Sequence, residues 1–208
     1  MNNVDNYGWS LNEPPDSCSY ITPWILNYIA NKKITSIIDV GCGNGALCRE
    51  ILKHNSNLKV IGIDNDEKGI NIAKHNCPNG TFYRLGIHES NNQIFNNKTF
   101  DFIISTEVIE HLYSPQQLIT FCYKYLKDNG ELLITCPYHG YWKNLIISIL
   151  GEWDIQHTTL WEGGHIKFWS KKTITTLLND NGFKITLFTG VGRIRYIWKS
   201  MIVIAKKL

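Results

Sequence analysis

Residues 37–45 read IIDVGCGNG and decide the fold of this chain. An apolar, β-branched run leads into glycines at positions 41, 43 and 45, and a helical pattern begins at Ala46. Because glycine has no Cβ atom, such a loop can turn sharply and bring backbone N–H groups against a ligand. Doubly wound α/β folds bind ligands where a strand gives way to the next helix. The segment therefore predicts an α/β domain with a ligand site at the mouth of its sheet.

A carboxylate stands at the end of the next apolar run, residues 59–64. Asp64 follows the glycine loop by about 20 residues, the spacing at which an acidic side chain reaches the ribose of a bound nucleotide. It can accept hydrogen bonds from both ribose hydroxyls. The loop and the carboxylate together predict an adenosine-containing ligand.

The details of the loop separate two classes of such ligands. Its glycines are spaced Gly-x-Gly-x-Gly, whereas dinucleotide-binding loops read Gly-x-Gly-x-x-Gly. Asp39 precedes the first glycine by two residues, and a carboxylate there would repel a pyrophosphate. It would suit a cationic amino group or sulfonium, which S-adenosylmethionine carries. The alternative is a turn whose glycines only permit tight packing.

The rest of the chain alternates apolar runs with helical patterns. Runs that are apolar on both faces and separated by helices predict a parallel sheet covered on both sides. No helix separates the last two strands, which predicts an antiparallel edge. The predicted strands are residues 34–40, 59–64, 82–85, 100–105, 131–136, 183–189 and 197–205, and the predicted helices are 19–30, 46–53, 67–75, 115–127 and 173–181.

Length and composition limit the class of protein. A chain of 208 residues allows a polar arm, residues 1–18, and one domain, residues 19–208. With 43% hydrophobic and 19% charged residues it can fill a core, which excludes wholesale disorder. A formal charge of +3 is too mild to indicate nucleic-acid binding.

Cysteine usage and hydropathy bear on location. The six cysteines form no CxxC pair and no secretory signal pattern precedes them, so we expect reduced thiols and a cytoplasmic protein. No apolar stretch approaches the roughly 20 residues that span a bilayer. The hydropathy pattern is compatible with peripheral contact with a membrane.

Three of these segments resemble the motifs of class I S-adenosylmethionine-dependent methyltransferases: residues 39–45, Asp64 and residues 100–105. The resemblance covers residues 34–206 and implies a three-layer Rossmann-like sheet of strand order 3-2-1-4-5-7-6, with strand 7 antiparallel. It implies that the loop lines the methionine moiety and that Asp64 holds the ribose. The family often has an acidic residue after its third strand, where this chain has Gly86-Ile87, so we expect backbone and the Ile87 side chain near the adenine. The implied cofactor contacts are Asp39, Gly41, Cys42, Gly43, Gly45, Asp64, Asn65, Gly86, Ile87 and Thr106.

A second motif, TEVIEHL at residues 106–112, carries two carboxylates and an imidazole. The i, i+3, i+4 spacing would place Glu107, Glu110 and His111 on one face of a helical turn. Such a set can bind a divalent metal through mixed oxygen and nitrogen ligands, and we expect Mg²⁺ or Mn²⁺. His165, in the glycine-flanked segment 163–169, is the candidate fourth ligand. The alternative is a solvated helix start with His111 as a packed neighbour.

A resemblance to two enzyme families supports the hypothesis of a metal site. Residues 107–112, 142–145 and the Gly-His before Lys167 resemble polyprenyl catechol O-methyltransferases of ubiquinone biosynthesis. The same Glu-x-x-Glu-His and distal His also resemble small-RNA 3′-terminal 2′-O-methyltransferases, in which the matching residues hold a metal. Both kinds of acceptor present vicinal oxygens, and a chelated hydroxyl is more readily ionised. Without a metal, His111 or His139 would act as general base with a near-neutral pKa, although His139 equally fits a surface loop.

The remaining segments concern the acceptor. The insert at residues 137–169 carries four tryptophans and predicts a lid that excludes water, or in part a packed cap. Residues 145–150 would contact lipid if the acceptor has an isoprenoid tail. The last forty residues are basic, which indicates a solvated face or an RNA surface.

These observations lead to one expectation and two alternatives. We expect a methyltransferase that O-methylates a small hydroxylated acceptor, either catechol-like or lipid-tailed. The sequence shows no sign of an obligate protein partner. Methylation of RNA 3′ ends is the second reading. A non-catalytic protein that binds an adenosyl ligand is the third.

Overall fold

The computed structural model describes residues 13–88, 95, 98–157, 161 and 163–208. Most of the predicted arm, residues 1–18, lies outside these residues, as does most of the Asn-rich segment 88–99 between the predicted strands 82–85 and 100–105. The strands are β1 (Ser36–Val40), β2 (Lys59–Asp64), β3 (Thr81–Arg84), β4 (Phe100–Thr106), β5 (Leu126–Pro137), β6 (Phe183–Val191) and β7 (Ser200–Lys207). The helices are α1 (Cys18–Ile29), α2 (Ala46–His54), α3 (Glu67–Asn76), α4 (Pro115–Tyr125), α5 (Tyr141–Leu150), α6 (Trp153–His157) and α7 (Lys171–Asp180).

The strands of the described ranges form one sheet in the order β3-β2-β1-β4-β5-β7-β6. The first five strands pair in parallel, whereas β7 is antiparallel to both β5 and β6. The predicted strand order and the antiparallel seventh strand are confirmed. The carboxyl ends of the parallel strands consequently meet at one edge of the sheet, where the predicted site residues lie.

The core occupies both faces of the sheet because neighbouring residues of a strand point to opposite sides. Ile37 packs with the apolar residues of α1, α2 and α3, while Ile38 packs with those of α4 and α7. The same division recurs in β4, where Phe102 and Ile103 belong to opposite layers. Strands without a polar face therefore read as continuous apolar runs.

Several helices and strands begin or end at residues other than those predicted. The helix predicted to Lys127 ends at Tyr125, because Leu126 has extended backbone (φ −84°, ψ 134°) and its buried side chain begins β5. The strand predicted from residue 197 begins at Ser200. The chain is still turning there, since the amide of Ile197 donates to the carbonyl of Ile194.

The predicted lid insert contains α5 and α6, and its described residues 163–169, which belong to no helix or strand, return towards the sheet. The amides of Ile166 and Lys167 both donate to the Glu110 carbonyl, so this return passes the site. Trp169 is buried in the core, whereas the other three tryptophans of the insert are exposed. Residues 158–160 and 162 lie outside the described part.

None of the helices described above is both long enough and apolar enough to cross a bilayer.

Candidate functional site

The glycine loop leaves β1 in backbone conformations that favour glycine. Gly41, Gly43 and Gly45 have φ values of 82°, 50° and 73°. A Cβ atom on Gly41 would lie 2.3 Å from Cγ2 of Val108, too close for any side chain there. The loop therefore packs directly against the segment that contains Glu107 and Glu110, which joins the two sequence motifs in space.

Asp64 ends β2 and ties the loop to its own strand. One carboxylate oxygen accepts from the Gly43 amide at 2.8 Å, and the other accepts from the Asp66 amide at 2.9 Å. Burial raises the pKa of Asp64, while these two N–H groups oppose the rise. Each oxygen retains a further acceptor site, so the carboxylate can still receive hydroxyl groups.

Asp39 lies beneath the loop with 1% of its surface exposed. Its Oδ2 accepts from the Cys48 thiol at 3.4 Å, and its Oδ1 has no hydrogen-bond partner among the residues described. Burial raises the pKa of this carboxyl to about 7, and the charge of Asp64 adds to the rise. A cation near the loop would favour its ionised form.

The other predicted cofactor residues share one edge of the sheet. They follow the carboxyl ends of four adjacent strands, in the order β3, β2, β1 and β4. A ligand lying across these strand ends would meet all of them, as in the crevice that doubly wound folds use. These residues are Cys42 after β1, Asn65 after β2, Gly86 and Ile87 after β3, and Thr106 at the end of β4.

The placement of Glu107 on a helical face with Glu110 and His111 is wrong. Glu107 has a φ of 54°, and only Ile109–His111 form a short 3-10 turn. The Glu107 amide donates to Thr135 of β5, and its carboxylate accepts from the hydroxyls of Thr135 at 2.8 Å and Ser200 at 3.1 Å. Pairing with the neighbouring strands thus overrides the helical spacing.

Glu110, His111 and His165 form the cluster that the structure does assemble. Their ligand atoms all lie within 4.8 Å of one another. One oxygen of Glu110 is 3.9 Å from Nε2 of His111 and 3.9 Å from Nε2 of His165. Glu110 is 0% exposed, and neither of its oxygens has a hydrogen-bond partner in the described ranges. The alternative interpretation of this motif, a solvated helix start, is therefore also wrong for Glu110.

These three side chains fit a divalent cation. Ligands at about 2.1 Å from one tetrahedral ion are about 3.4 Å apart, so the 3.9 Å separations would have to shorten by roughly 0.5 Å when the ion binds. Nδ1 of His111 donates to the Gly163 carbonyl at 2.6 Å, which puts the lone pair of the neutral ring on Nε2. Two imidazoles with one carboxylate favour a transition-metal ion over Mg²⁺, because imidazole nitrogen suits transition metals whereas Mg²⁺ prefers oxygen ligands. Glu107 is the predicted ligand that stays outside this group.

A cleft of about 220 Å³ opens beside the cluster and shares His165 with it, and Glu107 also lines this cleft. His139 lines this cleft, and its ring stacks on His157 at 5.6 Å. Burial lowers the pKa of His139 to about 4, with a further contribution from Lys143. The near-neutral pKa expected for a general base is therefore wrong for His139. Burial also lowers the pKa of His111.

Three lining residues carry roles that the sequence did not indicate: Tyr20, Lys143 and Ser200. The Tyr20 hydroxyl lies 3.4 Å from that of Ser200, which donates to Glu107. Lys143 is the one charged residue of helix α5, whose other residues are mostly apolar, and this contrast was the sequence signal that could have indicated its role. Tyr20 and Ser200 have no such signal, because they reach the cleft from α1 and from the start of β7.

Comparison with known proteins places this arrangement in context. A family model described as a methyltransferase domain matches residues 18–187. A ubiquinone biosynthesis O-methyltransferase of Bradyrhizobium diazoefficiens is 29% identical over 163 residues, 74% of this chain and 60% of that protein. A mitochondrial ubiquinone biosynthesis O-methyltransferase of Rattus norvegicus is 28% identical over 166 residues, 74% of this chain and 46% of that protein. The chain thus spans between about half and three fifths of these relatives.

A solved structure shares the fold. Magnesium protoporphyrin IX methyltransferase from Synechocystis, with bound SAH, superposes with a TM-score of 0.65 at 18% identity. The match covers 90% of this chain and 82% of that one. The likeness concerns the fold and its strand order.

Proposed function

This chain belongs to the methyltransferase domain family, and from that premise we propose that it methylates a hydroxyl oxygen of a small acceptor with S-adenosylmethionine and a divalent cation. The observation that carries the proposal is the buried Glu110 carboxylate. It lies between two histidine Nε2 atoms and lacks a hydrogen-bond partner among the described residues. A buried charge of this kind is costly unless something pairs with it. It lies at the same strand ends as the glycine loop.

The cofactor would lie across the strand ends. Asp64 would accept the ribose hydroxyls, and Ile87 would lie against the adenine. The loop glycines leave room for the methionine moiety, and the unpartnered Oδ1 of Asp39 supplies negative charge beneath it. S-adenosylmethionine supplies an electrophilic methyl group when it is bound. Almost none of Asp39 reaches solvent, so we assign its effect to charge and not to direct contact.

Glu110, His111 and His165 would hold the cation. A divalent ion supplies positive charge there, which favours the ionised form of a neighbouring hydroxyl. The carbonyl of Gly163 orients the His111 ring for this task. Because the pKa of His139 is about 4, that side chain is a weak proton acceptor near neutrality. We therefore propose that His139 contacts the acceptor and that ionisation depends on the cluster.

The cleft defines the size of the acceptor. Its volume of about 220 Å³ is below the 300 to 1,000 Å³ common for ligand pockets, which supports a small molecule. Ile147 of α5 and His157 of α6 line it, so the insert covers the site. Such a cover limits the access of water to the reacting groups.

RNA is a weaker candidate because the basic residues divide between two ends of the sheet. Arg193 and Lys199 border the cleft. Lys206 pairs with Glu131 in the β-ladder near the opposite end, and Lys207 donates to the carbonyl of Leu126 there. A continuous basic stripe leading to the site, which RNA binding would favour, is not formed by these residues.

The test is methyl transfer to catechol as the probe acceptor. We expect S-adenosylhomocysteine to form with Mn²⁺ present and to fall at least tenfold in EDTA. His165→Ala should lose most of the Mn²⁺ stimulation, because it removes one of three ligands, whereas the exposed His75→Ala control should keep it. Turnover that EDTA leaves unchanged contradicts the role of the cation. Binding of S-adenosylhomocysteine without turnover on any catechol or RNA end would instead favour a non-catalytic adenosyl-binding protein.

We also propose that the outer face of α5 contacts a lipid surface. Ile149 and Leu150 are 74% and 63% exposed, and the helix has no charged residue on that face. Ile147 is buried, so the informative change is Ile149→Asp. It should reduce sedimentation with phospholipid vesicles, whereas Leu208→Asp, at the opposite end of the sheet, should not. Equal sedimentation of the Ile149→Asp variant removes this contact.

A further inference from the structure

Trp161 forms a group of three rings with the two histidines of the candidate cation site. Its indole meets the His111 ring at a centroid distance of 5.7 Å and an interplanar angle of 79°, and the His165 ring at 6.3 Å and 67°. The two imidazoles meet each other at 5.0 Å and 65°. Aromatic rings favour such edge-to-face arrangements at these distances. One indole therefore contacts both imidazoles and restricts how either of them can turn.

The backbone around Trp161 is bonded to the same cluster. The Gly164 amide donates to the Trp161 carbonyl at 3.0 Å, which closes a tight turn. Gly163, inside this turn, has a φ of 86°, and its carbonyl accepts from Nδ1 of His111 at 2.6 Å. His165 follows the turn directly. The turn thus carries one cation ligand, orients a second and places the indole against both.

The indole covers a part of the cluster that does not border the cleft. His165 lines the cleft, whereas Trp161 is not one of its described lining residues. Trp161 is 45% exposed, so part of the indole faces solvent while another part packs on the imidazoles. Water that approaches from this side meets an apolar ring, and such a shell controls the access of solvent to a metal site. A free coordination position would then face the cleft.

We propose that Trp161 is a positioning residue for the cation: it holds the rings of His111 and His165 so that both Nε2 atoms reach one ion, and it limits the entry of water. The inference rests on the proposed function, since it names a residue that acts on the same cluster. Trp161 offers no ligand atom of its own, because the indole nitrogen is a donor only. Its effect on the ion is therefore exerted through the two imidazoles.

The test uses Co²⁺ as the probe ion, because it binds imidazole sites more tightly than Mn²⁺ and its visible absorption depends on its coordination number. The full chain is titrated in the absence of acceptor, so the readout requires no turnover. Residues that orient metal ligands typically change the affinity 10- to 100-fold, and we expect a loss of about this size in Trp161→Ala. Its visible bands should also weaken, because added water raises the coordination number.

Two variants separate this role from a general structural one. Trp161→Phe keeps an aromatic ring and should retain most of the affinity and of the band intensity. Trp142→Ala removes a tryptophan that is 58% exposed on α5, and it should match the wild type. Calorimetric binding of S-adenosylhomocysteine, which reports on the glycine loop, should be unchanged in all three variants.

Each outcome decides the point. Equal Co²⁺ affinity and band intensity in Trp161→Ala and the wild type overturn the inference, as does a Trp161→Phe variant that is as weak as Trp161→Ala. Loss of S-adenosylhomocysteine binding in Trp161→Ala would show a general structural role and also overturn it. A wild-type protein that binds no Co²⁺ refutes both this inference and the cation of the proposed function. If the dependence on Trp161 holds while EDTA leaves methyl transfer unchanged, the proposed function alone is refuted.

Discussion

Replacing Glu110 by leucine should make the metal-free protein more stable while it removes the cation site. Glu110 is fully buried and both of its oxygens lack a hydrogen-bond partner among the described residues. Burial, and then the charge of Glu107, raise the pKa of Glu110 well above its ordinary value, which favours the neutral carboxyl in the metal-free protein. Leucine has a similar size and needs no hydrogen bond.

The expected gain follows from the cost of the buried carboxyl. An unsatisfied buried polar group costs about 1–3 kcal/mol, so the free energy of unfolding in EDTA should rise by about that amount. With a urea dependence of about 1–3 kcal/mol per molar, the midpoint should rise by roughly 1 M. Mn²⁺ at one hundred times its dissociation constant should add about 2.7 kcal/mol to the wild type and nothing to Glu110→Leu. The order of stability would then approach equality or reverse.

Urea unfolding followed by tryptophan fluorescence, in EDTA and in Mn²⁺, provides the assay. The matched control is Glu107→Leu, because that carboxylate accepts from Thr135 and Ser200. Its loss leaves two buried hydroxyls without their acceptor, and stability in EDTA should fall by about 1–3 kcal/mol. If Glu110→Leu is less stable than the wild type in EDTA, the reasoning from the unpartnered carboxyl is refuted.

Three further predictions concern the cofactor side of the site. Asp64→Ala should weaken calorimetric binding of S-adenosylhomocysteine about 10- to 150-fold, the value of one hydrogen bond to a charged group, and retained affinity would contradict the ribose role. Gly41→Ala should destabilise the fold by at least about 1–3 kcal/mol through its left-handed φ and its contact with Val108, and Val108→Ala should partly restore urea stability. Asp39 has a folded-state pKa of about 7, above its unfolded value near 3.9. The protein is therefore most stable, as far as Asp39 is concerned, below about pH 4, where the carboxyl is protonated in both states. The free energy of unfolding should fall by at most about 4 kcal/mol as pH rises from about 4 to about 7. Asp39→Asn should flatten that part of the stability–pH curve, and an unchanged slope in urea unfolding would count against the burial argument.

Local pattern was sufficient for the cofactor side because that side is built from short-range features. The loop at residues 37–45 and Asp64 each end a strand, and parallel strands bring such ends to one edge whatever the rest of the chain does. The strand order came from the family resemblance and is confirmed. Helix and strand ends moved where tertiary contacts compete with local preference, as at Leu126.

The sequence by itself therefore determined the fold class, the glycine loop and the placement of Asp64 at the strand ends. Only the tertiary structure decided which acidic residue meets the histidines. Glu107 and Glu110 are equivalent in a helical pattern, yet hydroxyls from β5 and β7 hold the first, and the return of the insert brings His165 to the second. The same holds for Lys143, whose burial and neighbouring cations come from segments about fifty residues apart in the chain. Charge and burial at a site depend on which distant segments pack around it, and spacing along one segment does not contain that information.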